Sequence, residues 1–259
     1  MEHIAQLHPS LQQERTLEPY NHVTLTEEET AEALRLAREK KHYEIANREY
    51  WEKVNRPQEF KRYTAEQLLE SLGKSLVIDE QNREVVETLC EYFAGDERFE
   101  KRSDRFKLSK GIYLAGGVGV GKTTLMNILK QNQHQSFKIV GCRAAETLFA
   151  TEGDAAIRYL SGTVTVAINS NPFGHQKIGI CFDDLGTESE GKHYGKDKNV
   201  MTEIILNRYD AQLSGNFTHI TTNLSVEELE QRYGTRVKDR LREMMNMITF
   251  DKDAPSRRK

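Results

Sequence analysis

Cysteine is scarce in this chain of 259 residues: Cys90, Cys142 and Cys181 lie far apart and are odd in number. That spacing excludes a disulfide framework and a Cys-x-x-Cys metal pair. Cys181 sits inside an apolar run, as a small buried side chain does. Long hydrophobic runs are missing too. None approaches the roughly 18 residues of a membrane span, and the opening MEHIAQLHPS lacks the cationic-then-apolar order of a secretory signal. The expectation is a cytoplasmic protein without membrane contact. Charge of one sign is also lacking: a net charge of −3 with 30% charged residues excludes a strongly basic nucleic-acid coat. Any nucleic-acid contact must then be local. Internal repeats and low-complexity tracts are absent.

From Thr26 to Pro57 the chain has no glycine and no earlier proline, and Thr26 with Glu29 forms a capping box. A long helix is predicted. Its apolar positions are few, Leu34, Tyr43, Ala46, Tyr50 and Val54, a stripe too thin for a core of its own. The helix therefore lies on the main domain, docks on a partner, or is simply a solvated charged helix. Trp51, the only tryptophan, fits an interface anchor and a core residue equally. Residues 1–62 are read as a helical extension. After Pro57, TAEQLLESLGK and DEQNREVVETLCEYFAGD read as two amphipathic helices, which makes 63–104 a helical linker region. From 105 to 259 strands and helices alternate, with strands at 110–115, 137–141, 177–182, 217–221 and 247–250. Helices are expected at 122–132, 143–162, 197–212 and 226–245. This is the pattern of a doubly wound parallel sheet flanked by helices.

The stretch LAGGVGVGKTTL carries chemistry. Gly116-x-x-x-x-Gly121-Lys122-Thr123 fits the P-loop spacing, with the strand-like GIYLAG before it and the helical TTLMNILKQN after it. The glycines let the N–H groups of Gly116, Gly117, Val118, Gly119, Val120 and Gly121 curl around a phosphate, and Thr124 continues the cradle into the helix. Lys122 would neutralise β and γ oxygens, and the Thr123 hydroxyl would sit on Mg²⁺. The expected ligands are ATP and Mg²⁺.

KIGICFDDLGTE is an apolar strand ending in two aspartates, at the crevice where such sheets hold ligands. Asp183 is expected to hold the metal and Asp184 to orient or deprotonate the attacking water. The strand HITTNLS follows, an order similar to that of ATPases with a polar strand between the other two, in which Asn223 and Thr222 would bond the lytic water or the γ-phosphate. It does not carry the Asn-Lys-x-Asp of a GTPase. A nucleoside kinase would need an arginine-bearing lid, whereas Arg236, Arg240 and Arg242 follow this polar strand.

GGVGVGKTTL, CFDDLG, LNRYD, HITTNLS and RYGTRVKDRL, taken in this order, resemble the AAA+ ATPases of the DnaC-type helicase loaders and their IstB-type transposase helpers. The resemblance covers residues 105–258. It implies an α/β fold of the P-loop ASCE/AAA+ kind, an ATP-dependent homo-oligomer, ATP hydrolysis and a role in DNA replication. It makes Asp183 and Asp184 the Walker B pair and Asn223 the first sensor. Arg240 becomes an arginine finger acting across a subunit boundary. The DAPSRRK tail offers Arg258, or failing that Arg257, as a second sensor. Only 19 residues follow Arg240, too few for the full helical lid of other AAA+ proteins. The partner gripped by residues 1–62 is expected to be a replicative helicase, or alternatively a transposase. A regulatory module that holds ATP without turnover is the remaining alternative. Weak single-stranded DNA binding is expected from residues 96–110, with six Lys/Arg against four Asp/Glu, and from Arg143, Arg158, Phe149 and Tyr159 in the segment 141–176, the alternative being a solvated helix pair with Phe149 and Tyr159 in the core.

Overall fold

The computed structural model describes residues 23–54, 60–167, 170–189, 191–193, 196–211 and 217–258, with the backbone alone at 51–54, 191–193 and 196–198. Two compact units divide at Gln58 and Glu59. The first contains helix α1, Glu27–Val54, which starts at the predicted box: the Thr26 N–H donates to Glu29 and the Glu29 N–H to the Thr26 hydroxyl. Its side chains from 27 to 50 are all exposed, and Arg35 pairs with Glu32 and Glu39 along the surface. The expectation placed on Trp51, like the boundary at Pro57, lies outside what is described.

In the second unit, α2 (Ala65–Gly73) begins at a capping box between Thr64 and Gln67, and α3 (Arg83–Ala94) stops where Gly95 turns left-handed. The short α4 spans Arg98–Lys101. Then come β1 (Gly111–Ala115), α5 (Lys122–Leu129), β2 (Phe137–Gly141), α6 (Cys142–Glu152), α7 (Asp154–Ser161), β3 (Val164–Thr165) and β4 (Lys177–Leu185). The hairpin of β5 (Gly191–His193) and β6 (Lys196–Lys198) follows, then α8 (Val200–Ala211), β7 (Thr218–Thr222), α9 (Val226–Met244) and β8 (Met245–Thr249).

The main path of the sheet runs β2-β4-β7-β1-β8, and every pair along it is parallel. The two-residue β3 adds an antiparallel contact to β4. Both β3 and the β5–β6 hairpin escaped the sequence pattern because runs of two or three residues carry no period. The polar strand β7 lies between β1 and β4, as the likeness to ATPases with a central polar strand led one to expect.

Strands β1, β2, β4 and β8 feed two cores. In β1, Ile112 and Leu114 face the layer of α2, α3 and α5, while Tyr113 and Ala115 face the layer of α6 to α9. That two-sided burial is the reason β1 and the body of β4 read as apolar runs, whereas β7 carries three threonines and a histidine. The helices of 63–104 belong to the first layer: Leu72, Val86, Leu89 and Phe93 are buried with β1 and β8. All three cysteines are buried, and burial raises each thiol well above its ordinary pKa. No described helix is long and apolar enough to cross a membrane.

Candidate nucleotide site

Strand β1 ends at Ala115 and α5 starts at Lys122, so residues 116–121 form the turn between a strand end and a helix N-terminus. Gly119 (φ 87°) and Gly121 (φ 106°) take left-handed backbone that a side chain would strain. The turn leads into a cavity of about 390 Å³. Its walls include Val118, Gly119, Gly121, Lys122, Thr123 and Thr124 from the loop and helix, Asp184 from β4, Asn223 from the end of β7, and Arg258. Val120 turns away and is buried in the core.

Lys122 is almost wholly enclosed, 4% exposed. Its ammonium donates to the carbonyls of Gly116 and Gly117, both at 2.8 Å, and to Asn223 Oδ1 at 2.5 Å. Burial lowers its pKa, Asp184 and Asp183 work against that, and Arg258 adds to the lowering. The Thr123 hydroxyl donates to Asp183, 3.0 and 3.1 Å from its two carboxylate oxygens.

A regular strand would send Asp183 and Asp184 to opposite faces. Here β4 bulges. Phe182 pairs with Ile220 and Leu185 with Thr222, so two aspartates stand against the single Thr221. Asp184 absorbs the extra residue by adopting φ 56°, the only positive φ outside glycine among the described residues. Such backbone costs about 1–2 kcal/mol for an L-residue and is best tolerated by Asp and Asn. The bulge puts the Asp183 carboxylate under Thr123 and Asp184 in the cavity wall.

Thr221 is the residue that sequence reasoning missed. Its hydroxyl donates to Asp183 Oδ1 at 2.6 Å and accepts the Asp184 N–H at 2.9 Å. Thr222, expected at the phosphate, is fully buried and donates instead to the carbonyl of Leu185 at 2.7 Å. Side chains alternate along β7, so only one of the adjacent threonines can face the aspartates. The signal was present in the pair Thr221-Thr222, but choosing between them needs the bulge in β4.

The loop after the aspartates is tied on two sides. Arg143 of α6 donates to Thr187 O at 3.0 Å, while the buried Glu188 accepts the Gly186 N–H at 3.0 Å and the Tyr233 hydroxyl of α9. Arg240, further along α9, does not line the cavity. It lies over the ring of Tyr209, 4.2 Å from its centroid, and bonds to Tyr209 Oη at 2.8 Å and Glu243 at 2.9 Å. Arg236 and Arg242 are exposed.

The expected DNA-stacking role of Phe149 is overturned, because the ring is buried in the core between the sheet and α7. Tyr159 is 62% exposed, with the Lys138 ammonium 4.5 Å above its ring. Within 96–110 much of the basic charge is spent on neighbours, since Arg98 pairs with Asp96 and Glu66, Arg102 with Glu91, and Lys107 with Glu100.

The glycine turn between β1 and α5, the carboxylates on β4 and the polar β7 between them define an α/β domain of the P-loop type. No family model and no curated protein matches the chain. Solved structures do. One is a DNA replication initiation factor, at 12% identity and a TM-score of 0.48, with 69% of this chain and 48% of that chain covered. Another is the replication initiator DnaA bound to AMPPCP and single-stranded DNA, at 13% identity and a TM-score of 0.47, with 71% and 50% covered. This chain thus spans about half the length of those two proteins.

Proposed function

We propose that the chain is an ATPase of the AAA+ kind that loads a replicative DNA helicase, working as an ATP-dependent homo-oligomer. The observation that carries the ATP site is the convergence of Lys122, Asp184 and Asn223 on one cavity beside the Thr123–Asp183 contact. Helicase loading rests on the order of motifs that resembles the DnaC-type loaders.

In this reading the N–H groups of 116–121 and the α5 N-terminus bind the phosphates. Lys122 exchanges its carbonyl partners for phosphate oxygens. The donors at the site fit a hard divalent cation, because Mg²⁺ favours one or two protein oxygens completed by phosphates and water. Thr123 Oγ1 and the Asp183 carboxylate are those oxygens, and Mg²⁺ held there would neutralise charge on the β and γ oxygens. Asp184 accepts a proton from the attacking water and Asn223 orients it. Arg240 reaches the γ-phosphate of a neighbouring subunit, having no place in its own cavity. Arg258 faces the phosphates of its own subunit.

Residues 1–62 would hold the helicase, and weak single-stranded DNA binding belongs to the face of Tyr159, Lys138 and Arg158. A titration of labelled oligonucleotide at rising salt tests the DNA contact, which must weaken with salt to stand. For the ATP site the test is Lys122→Ala with a labelled ATP analogue. Removing a buried charge that meets an anion costs at least about 2 kcal/mol, or roughly thirtyfold in affinity. Equal affinity in the variant would sink the reading.

A further inference from the structure

The segment after β8 stays on the domain. Ala254 packs on the core beneath α2, α3 and α5. The residues after it cross the glycine turn: the Arg257 N–H donates to Gly119 O at 2.9 Å. Ser256 lies so close that a Cβ at Gly119 would stand 2.2 Å from its Oγ. The Arg257 guanidinium then reaches the turn between α2 and α3, where it grips both carboxylate oxygens of Asp79 at 2.8 and 2.9 Å.

The anchor on that turn is built in advance. Asn82 accepts the Asp79 N–H at 2.9 Å and donates to Val77 O at 2.9 Å, and the Gln81 N–H donates to Asp79 Oδ1 at 3.1 Å. The Arg257 hydrogen bonds hold the Asp79 carboxyl below its ordinary pKa.

A second cavity, about 420 Å³, adjoins the first. Leu76, Gly121 and Arg257 line both, and Val77, Val120 and Leu125 give the second its apolar lining. Concave apolar space continuous with an anion cradle suits the flat base of a nucleotide. Arg257 stands in the wall the two cavities share.

We propose that Asp79 and Arg257 are positioning residues of the nucleotide site: their ion pair straps residues 254–258 across the glycine turn, sets Arg258 at the phosphate cavity, and holds a bound nucleotide in until the strap opens. The proposal rests on the ATP reading above, and its occupant is a nucleoside triphosphate with its base in the second cavity. The pair is partly exposed, at 41% for Asp79 and 23% for Arg257, so each single loss should accelerate release about two- to fivefold.

The test uses the full chain and two readouts. Stopped-flow release of a fluorescent N-methylanthraniloyl ATP analogue is measured for wild type, Asp79→Asn, Arg257→Met, their double variant, and the swap Asp79→Arg with Arg257→Asp. Faster release in each single variant, no further gain in the double, and recovery in the swap support the strap. Release at the wild-type rate in both single variants, or independent addition of their effects, overturns it. The second readout is amide exchange at Arg257 without nucleotide, which should quicken in Asp79→Asn. Failure of wild type to bind the analogue overturns the ATP reading instead, and the exchange rate then decides the strap, unchanged exchange overturning it.

Discussion

Thr221 holds Asp183 by a 2.6 Å hydrogen bond while its oxygen receives the backbone N–H of Asp184. One hydroxyl on the strand between β1 and β4 therefore holds the Asp183 carboxylate and the Asp184 backbone. The tie falls where the β4–β7 ladder skips a residue, and it adds to the hold that the Thr123 hydroxyl and the pairing with Gly141 of β2 already have on Asp183.

Thr221→Val keeps the shape of the side chain and removes both hydrogen bonds. Each is worth about 1 kcal/mol. ATP turnover should fall roughly thirtyfold with nucleotide affinity retained, and Thr221→Ser should recover most of the loss. A steady-state ATPase assay with a parallel binding titration checks this, and wild-type turnover in the valine variant would show that Thr221 positions nothing.

Asp184→Asn leaves a residue suited to the left-handed backbone and removes the carboxylate proposed as the base. Turnover should drop at least about a hundredfold while the ATP analogue still binds. Asp184→Ala loses the same base and also strains the backbone, so its thermal unfolding should come earlier than that of the asparagine variant. Identical melting curves would mean that the bulge relaxes when Asp184 is replaced.

Arg240 and Lys122 should complement each other across subunits. Arg240→Ala and Lys122→Ala are each expected to be inactive alone, and mixing them should restore part of the ATPase signal, because one interface in the mixture joins an intact cradle to an intact arginine. Heteromers that form and remain inactive at every mixing ratio would place the role of Arg240 within its own subunit.

His219 supplies a prediction about pH. It is fully buried among Tyr92, Phe93 and Phe137, its Nδ1 accepts the Ile112 N–H at 3.0 Å, and burial pushes its pKa from 6.5 down to about 3. Between those values the unfolded chain holds the extra proton. Stability is then complete above about pH 6.5 and falls as the pH drops toward 3, by about 1.4 kcal/mol per unit for each such group. His134 and His175 are lowered by burial in the same direction. Urea midpoints at pH 7, 6 and 5 should decline, and His219→Gln should flatten the slope. A wild-type midpoint that stays level over that range would contradict the neutral buried imidazole.

The sequence disclosed the parts of the site that depend on local chain. The turn 116–121 was legible because glycines and a flanking strand and helix act over a few residues. The position of β7 was expected from the likeness to ATPases that carry a polar strand between the other two, since chain order alone does not fix strand order in a parallel sheet. What stayed hidden depends on pairing at a distance. The choice of Thr221 over Thr222 is set by a bulge in another strand. The Asp79–Arg257 pair joins residues 178 positions apart, and no spacing rule reaches that far. Phe149 was left open between base stacking and the core, and its spacing from Cys142 and Ala145, three and four residues at a time, was the signal that favoured the core.

The enclosed thiols of Cys90, Cys142 and Cys181 turn the chain into its own clock. A maleimide added to the native protein meets no reactive sulfur and can label only molecules that have opened, so the labelling rate counts openings. Because Cys142 begins α6 directly after β2 while Cys90 lies in α3, mass mapping of the label would time the two sides of the sheet separately. The same silence lets a single introduced cysteine carry a dye without first removing the natural three.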